Sequence, residues 1–162
     1  MGATRFVHGI SASALFMVAG ALQERLHTRK IGNMGGLWPA LPGLSALALF
    51  FAIASLGLPG LGNFIGEFLV LQGIFSINML LTSLTALVLI LAPVYALSMI
   101  QKTFYGPRYQ HSPLSDFSRR EWLALGLLAL TTVWLGLSPQ TVLDISAPVL
   151  KQEMLNSVAM ER

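Results

Sequence analysis

The 162-residue sequence contains no cysteine. That excludes a disulfide framework, a zinc knuckle and a cysteine-ligated iron–sulfur cluster. No redox centre is expected on this chain. Charge is scarce too. Charged residues make up 10% of the chain, against roughly 25% in a typical soluble domain. Only one formal charge, Glu67, falls between Ile31 and Gln101. A water-soluble fold, a disordered tail and a nucleic-acid binder are all excluded by that run. The net charge of +3 does not point to a phosphate-binding surface. The basic residues are sparse and sit between apolar runs, so they speak of membrane topology. Catalytic signatures are missing as well. There is no phosphate-cradling glycine loop, dinucleotide fingerprint, His-Glu-x-x-His pattern or Gly-x-Ser-x-Gly elbow. His27 and His111 lie in loops and suggest no metal ligation. No internal repeat and no soluble domain are present. Any catalysis is therefore expected to be vectorial, not bond-making.

What is present is apolar: 54% of the residues, with a mean hydropathy of +0.69. About 20 such residues cross a bilayer as a helix. The pattern predicts an all-α membrane protein with about four transmembrane helices. The spans are placed at about 3–23, 44–75, 79–103 and 122–138, with a turn at Ser76-Ile77-Asn78 between the second and third. Residues 1–138 then form the membrane domain and 139–162 a tail. Within the tail, Leu150, Met154 and Val158 recur at helical spacing, which reads as a short amphipathic helix from Val149 to Val158. No small-residue cleavage site precedes the dense charges after the first run, so a leader peptide is not expected. Arg25, Arg29, Lys30, Lys102, Arg108, Arg119 and Arg120 fall on one side, and Arg5, Lys151 and Arg162 on the other. The positive-inside bias puts the richer side in the cytoplasm and both termini outside.

The second span is too long for one plain crossing. Leu44 to Phe75 as a continuous helix would run about 48 Å, against a hydrocarbon core of about 30 Å. Its middle reads Leu58-Pro59-Gly60-Leu61-Gly62-Asn63. Pro59 removes a backbone donor and clashes with the preceding turn. Gly60 and Gly62 ease non-helical dihedrals. Two half-helices are expected, Leu44–Leu58 and Phe64–Phe75, joined by an unwound stretch. Such interruptions are tolerated at membrane depth only inside protein or along a wet cavity, and they recur along ion pathways. A plain proline kink is the alternative reading.

Glu67 follows the interruption by one turn after Asn63, so the two share a helix face and can meet. A charge near the bilayer centre costs about 2.5–3.5 kcal/mol on insertion scales. Burial disfavours its charged form, which suits a group that exchanges protons. A structural carboxylate paired with a neighbouring subunit is the alternative. His8 is the second relay candidate, since imidazole titrates near neutrality, although a lone histidine can simply bond a carbonyl. With Ser11 one turn on, it forms a polar stripe on the first span. Gly9 and Ser13 read as a close-packing pair. Lys102, below Tyr95 and Ser98, reads as a snorkelling residue.

Three stretches carry a resemblance: His8-Gly-Ile-Ser11, Glu24-Arg-Leu-His-Thr-Arg29 and Met34-Gly-Gly-Leu-Trp38. Gly57-Leu-Pro-Gly-Leu-Gly-Asn-Phe-Ile-Gly-Glu-Phe68 is the strongest of all. Together they resemble the C-terminal part of the antiporter-like M-subunit family (mitochondrial subunit 4-like) of bacterial proton-pumping NADH:quinone oxidoreductase, respiratory complex I. The resemblance runs from about His8 to Leu150. It implies a multi-pass subunit of the bacterial inner membrane, both termini periplasmic, that couples electron transfer from NADH to quinone to proton pumping. Glu67 would then end or gate the proton path and His8 would belong to the central polar axis. NADH, flavin, iron–sulfur clusters and quinone would sit on partner subunits. The other membrane subunits, the bilayer and the upstream half of the same subunit would be its partners. A full member of that family has about fourteen spans in two inverted halves, and only the last four are matched. Arg5 and Lys30 depart from the family pattern. Two alternatives stay open: a part resembling the related D subunit of a multisubunit cation/proton antiporter, and a structural membrane fragment without transport.

Overall fold

The computed structural model describes residues 2–106, 114–138 and 140. Among them there are five α-helices and no strand. They are α1 (Gly2–Leu26), α2 (Pro42–Ser55), α3 (Gly62–Phe75), α4 (Met79–Phe104) and α5 (Arg119–Leu137), with a 3-10 turn at Ile31–Asn33. The amphipathic helix expected from Val149 to Val158 lies outside the described residues.

Local chemistry sets most boundaries. Pro42 opens α2, where a missing backbone donor costs nothing. Asn78 caps α4: its Oδ1 accepts from the Leu80 and Leu81 amides at 2.9 and 3.2 Å. Ser118 and Glu121 form a capping box on α5. The turn before α4 therefore falls where Ser76-Ile77-Asn78 placed it. α4 and α5 are the two helices among the described residues that are long and apolar enough to cross a membrane.

Helices α1, α2, α4 and α5 converge on a core in which Leu37, Leu41, Leu44, Phe51, Phe104 and Leu125 are buried. The segment after α1 tucks beneath the end of α4. The Trp38 amide donates to the Phe104 carbonyl at 3.0 Å and the Trp38 ring stacks on Tyr105 at 5.3 Å. The outer side of the bundle is the reverse of a soluble protein. Leu84, Val88, Leu91 and Tyr95 of α4 all face outward, a continuous apolar surface that water would penalise. Gly9 and Ser13 also lie on an exposed face, with nothing within 4 Å of a Cβ at Gly9. Among the described residues nothing packs on that pair, because α1 turns Val7, Ser11, Ala14 and Val18 inward instead.

One end of the bundle is tied by Arg25. Its guanidinium grips Glu121 through both oxygens, at 3.1 and 2.9 Å. It also donates to the carbonyls of Ala21, Ser115 and Asp116 at 3.0, 2.8 and 3.3 Å, and lies 5.7 Å over the Phe117 ring. Asp116 in turn accepts from the Gly43 and Leu44 amides at 2.8 and 3.2 Å. Helix α2, whose own N-cap position is Leu41, is thus capped by a residue from the connection before α5. The Arg25 hydrogen bonds, helped by Ser118, outweigh desolvation and hold the Glu121 carboxyl down at about 2. Glu121 lies in the first turn of α5, before the apolar run begins at Trp122.

A carboxyl held below its usual range stabilises the fold above that range and stops doing so as it protonates. Thermal unfolding should therefore lose stability as pH falls from about 4.5 towards 2. Arg25→Gln should destabilise by on the order of 1 kcal/mol at neutral pH, given the exposed side of Glu121. It should also flatten the loss over that acid window. An unchanged acid profile in Arg25→Gln would show that the tie contributes nothing.

Candidate functional site

The site is built around residues 56–61, which separate α2 from α3. The chain leaves α2 through Gly57 at φ +64, a left-handed conformation. It then makes a tight turn in which the Leu61 amide donates to the Leu58 carbonyl at 3.0 Å. Pro59 and Gly60 occupy its two central positions. Gly60 has φ +92, the proline-then-glycine signature of a type II turn. Where half-helices are expected at Leu44–Leu58 and Phe64–Phe75, the structure has two separate helices, Pro42–Ser55 and Gly62–Phe75. α2 ends earlier than expected because the backbone turns left-handed at Gly57, before Pro59 is reached.

Asn63 is buried in the first turn of α3 and ties three segments together. Its Nδ2 donates to the Ala54 carbonyl in the last turn of α2 at 2.9 Å and to Ser11 Oγ of α1 at 3.1 Å. The Ser11 hydroxyl donates back to the Val7 carbonyl at 3.4 Å. The last carbonyls of a helix have no intrahelical donor; Asn63 supplies one. Its Oδ1 is buried without a protein donor among the described residues. The meeting of Asn63 with Glu67 that their spacing suggests does not occur, because the Asn63 amide is drawn to Ala54 and Ser11.

The Glu67 side chain is partly buried and folds back towards the turn. A Cβ at Gly57 would overlap its carboxylate, so the two lie in direct apposition although ten positions apart. His8, one turn before Ala12 on α1, is exposed on the described chain. His8 opens onto a groove of about 860 Å³ that runs past Ser55 and Phe16 to Thr28 and Arg29. The structure therefore gathers Glu67, His8, Asn63 and the Pro59–Gly62 turn in one region. Only Asn63 among them has protein partners for all its side-chain donors.

Glycine spacing does the remaining work. A Cβ at Gly62 would strike Val7 of α1, and one at Gly136 of α5 would strike the backbone of Gly60 and Leu61. The turn is pressed against α5 at a point where only glycine fits. Gly57 and Gly136 are not singled out by sequence reasoning. Gly57 opens the stretch that runs to Phe68, but its neighbour is set by folding; Gly136 is one isolated glycine in an apolar run.

Gly136→Ala must move a backbone, not a side-chain tip, and should destabilise by about 1–3 kcal/mol. Gly126→Ala, on the same helix with nothing within 4 Å, should instead be neutral or stabilise by up to about 1 kcal/mol. Thermal unfolding in detergent compares the two; equal effects would remove the close approach.

The chain is similar to known proteins. The profile of the family described as "NADH:quinone oxidoreductase/Mrp antiporter, TM" matches residues 1–92. The chain is 49% identical over 140 residues to NADH-quinone oxidoreductase subunit M of Pseudomonas aeruginosa, covering 86% of this chain and 28% of that protein. It is 41% identical over 161 residues to the subunit M of Escherichia coli K12, covering 96% of this chain and 32% of that protein. It superposes with a TM-score of 0.73 and 39% identity on a chain of respiratory complex I from Thermus thermophilus with bound NADH, covering 78% of this chain and 27% of the other. The chain thus spans about a third or less of the length of these relatives. The match over residues 1–92, which takes in α1, the turn at Pro59-Gly60 and Glu67, makes this chain a member of the transmembrane NADH:quinone oxidoreductase/Mrp antiporter family.

Proposed function

We propose that this chain is the C-terminal part of a proton-translocating membrane subunit of NADH:quinone oxidoreductase. In this reading it moves protons while partner subunits carry NADH, flavin, iron–sulfur clusters and quinone. The observation that carries the proposal is the Glu67 carboxylate lying against a left-handed turn between two short helices. α2 and α3 are 14 residues each, about 21 Å long, and neither alone crosses a core of about 30 Å. End to end they serve as the two halves of one interrupted crossing, with α1, α4 and α5 as the other three. Residues 1–138 are then the membrane domain and 139–162 its tail. A carboxylate in such a place is costly, and it is best accounted for by a group that gains and loses a proton. His8 acts as its neighbour on the central axis. Asn63, Pro59, Gly60 and Gly62 maintain the interruption. The exposed apolar surface of α4 faces lipid or neighbouring membrane subunits, which include the upstream half of the same subunit. The 41–49% identity to proteins named subunit M supports complex I over a cation/proton antiporter.

The test is NADH-driven proton uptake in vesicles carrying the assembled enzyme. Glu67→Gln keeps the shape and hydrogen bonding but removes the exchangeable charge. It should lower coupled uptake by about 10²-fold or more, the usual scale for a lost proton-transfer group. Glu67→Asp should be milder, and His8→Ala should cost less than Glu67→Gln. Sodium-dependent uptake indifferent to NADH would favour the antiporter. Full coupling in Glu67→Gln at normal assembly would return Glu67 to a structural role.

Orientation has its own test. The seven-to-three division of basic residues places the loops holding His27 and His111 in the cytoplasm and both termini in the periplasm of the bacterial inner membrane. His27→Cys and His111→Cys should be labelled from the cytoplasmic side only. Labelling of both from the periplasm would reverse the topology.

A further inference from the structure

We propose that Gly57 is a positioning residue for Glu67: its missing side chain is the space in which the carboxylate rests. The inference builds on the relay reading above and adds what fixes the relay group in place. Three observations carry it. The Glu67 carboxylate occupies the volume that a Cβ at Gly57 would need, overlapping through one oxygen and the carboxyl carbon. Gly57 sits at φ +64, a left-handed conformation just before the turn. The turn itself is braced from behind, since Gly136 of α5 abuts Gly60 and Leu61. The carboxylate is therefore the movable partner of the pair.

Gly60 separates the two roles that glycine plays here. It has φ +92 and nothing within 4 Å of its Cβ position. Gly60→Ala thus imposes left-handed strain with no overlap, whereas Gly57→Ala imposes both. A methyl at Gly57 pushes on the far end of a flexible side chain, which swings away while the helices stay docked. The result is a complex with Glu67 present but misplaced. A misplacement near 1 Å can cost a reaction about 10²-fold, so the fault should appear in transport more than in assembly. Shortening the acid by one methylene withdraws the carboxylate from the new methyl.

The experiment is a double-mutant cycle in the assembled enzyme, read as NADH-driven proton uptake per complex. Gly57→Ala should lower uptake by about tenfold or more. Combining it with Glu67→Asp should give uptake no lower than Gly57→Ala alone, a non-additivity that marks direct contact. Whatever Gly60→Ala costs, Glu67→Asp should not recover it. Where Gly57→Ala reduces assembly, recovery of assembly in the double variant supports the contact, and failure to recover overturns it. A second readout does not depend on pumping. The rate at which an apolar carbodiimide modifies Glu67 in the complex, followed by mass spectrometry, should shift severalfold in Gly57→Ala and stay native in Gly60→Ala. Additive losses in the cycle, or a native modification rate in Gly57→Ala, overturn the proposal. A fully coupled Glu67→Gln removes the relay yet leaves the modification assay standing, so the two failures are told apart.

Discussion

The carbonyl groups at the end of α2 have no donor within their own helix. In water a helix may stop anywhere, since solvent satisfies its last carbonyls; at membrane depth each must find protein. Here the Ala54 carbonyl receives the Asn63 amide across the gap, and Asn63 also reaches Ser11 of α1. That one side chain lets the backbone leave helical geometry at Gly57 and resume it at Gly62. The turn, the apposition of Glu67 and the packing of Gly136 all follow from the gap it supports.

The two ends of the bundle are held by different physics. Near the turn the contacts are close approaches at glycine: Gly62 of α3 makes room for the Val7 side chain of α1, and Gly136 of α5 meets the backbone of Gly60 and Leu61. Such contacts suit a medium in which apolar burial drives little association and close packing has to serve. At the opposite end of α1 the tie is ionic. Arg25 binds a carboxylate and three carbonyls, and Asp116 caps α2 from another connection. Polar ties of this strength belong where water is near enough to lower their desolvation cost. The bundle therefore has a region interlocked at glycine near Glu67 and an ion-paired rim around Arg25.

This division sets the limits of α2 and α3. The rim fixes where α2 begins, and the glycine contacts fix where it ends and α3 starts. Between them the one acidic side chain of the long uncharged run is left with freedom at its tip. It faces a glycine, not a cation, so nothing among the described residues locks it into a permanent ion pair.

The pattern along the chain settled a good deal. Apolar run lengths and turn residues located α4 within a residue of Met79–Phe104. Pro59, Gly60 and Gly62 located the turn between α2 and α3. These are local properties, decided by period, by proline's missing donor and by glycine's freedom. Other features were settled only by docking. Spacing on one helix brought Asn63 and Glu67 onto a shared face, yet Asn63 turned to Ala54 and Ser11 and Glu67 turned to Gly57. Arg25 and Asp116 form a clamp and a cap with partners far along the chain. Gly9 and Ser13 had the spacing of a packed pair and faced outward. In each case the partner lies on another helix or across the turn. A side chain's choice among possible partners depends on which unsatisfied groups the folded helices bring within reach, and sequence spacing does not encode that.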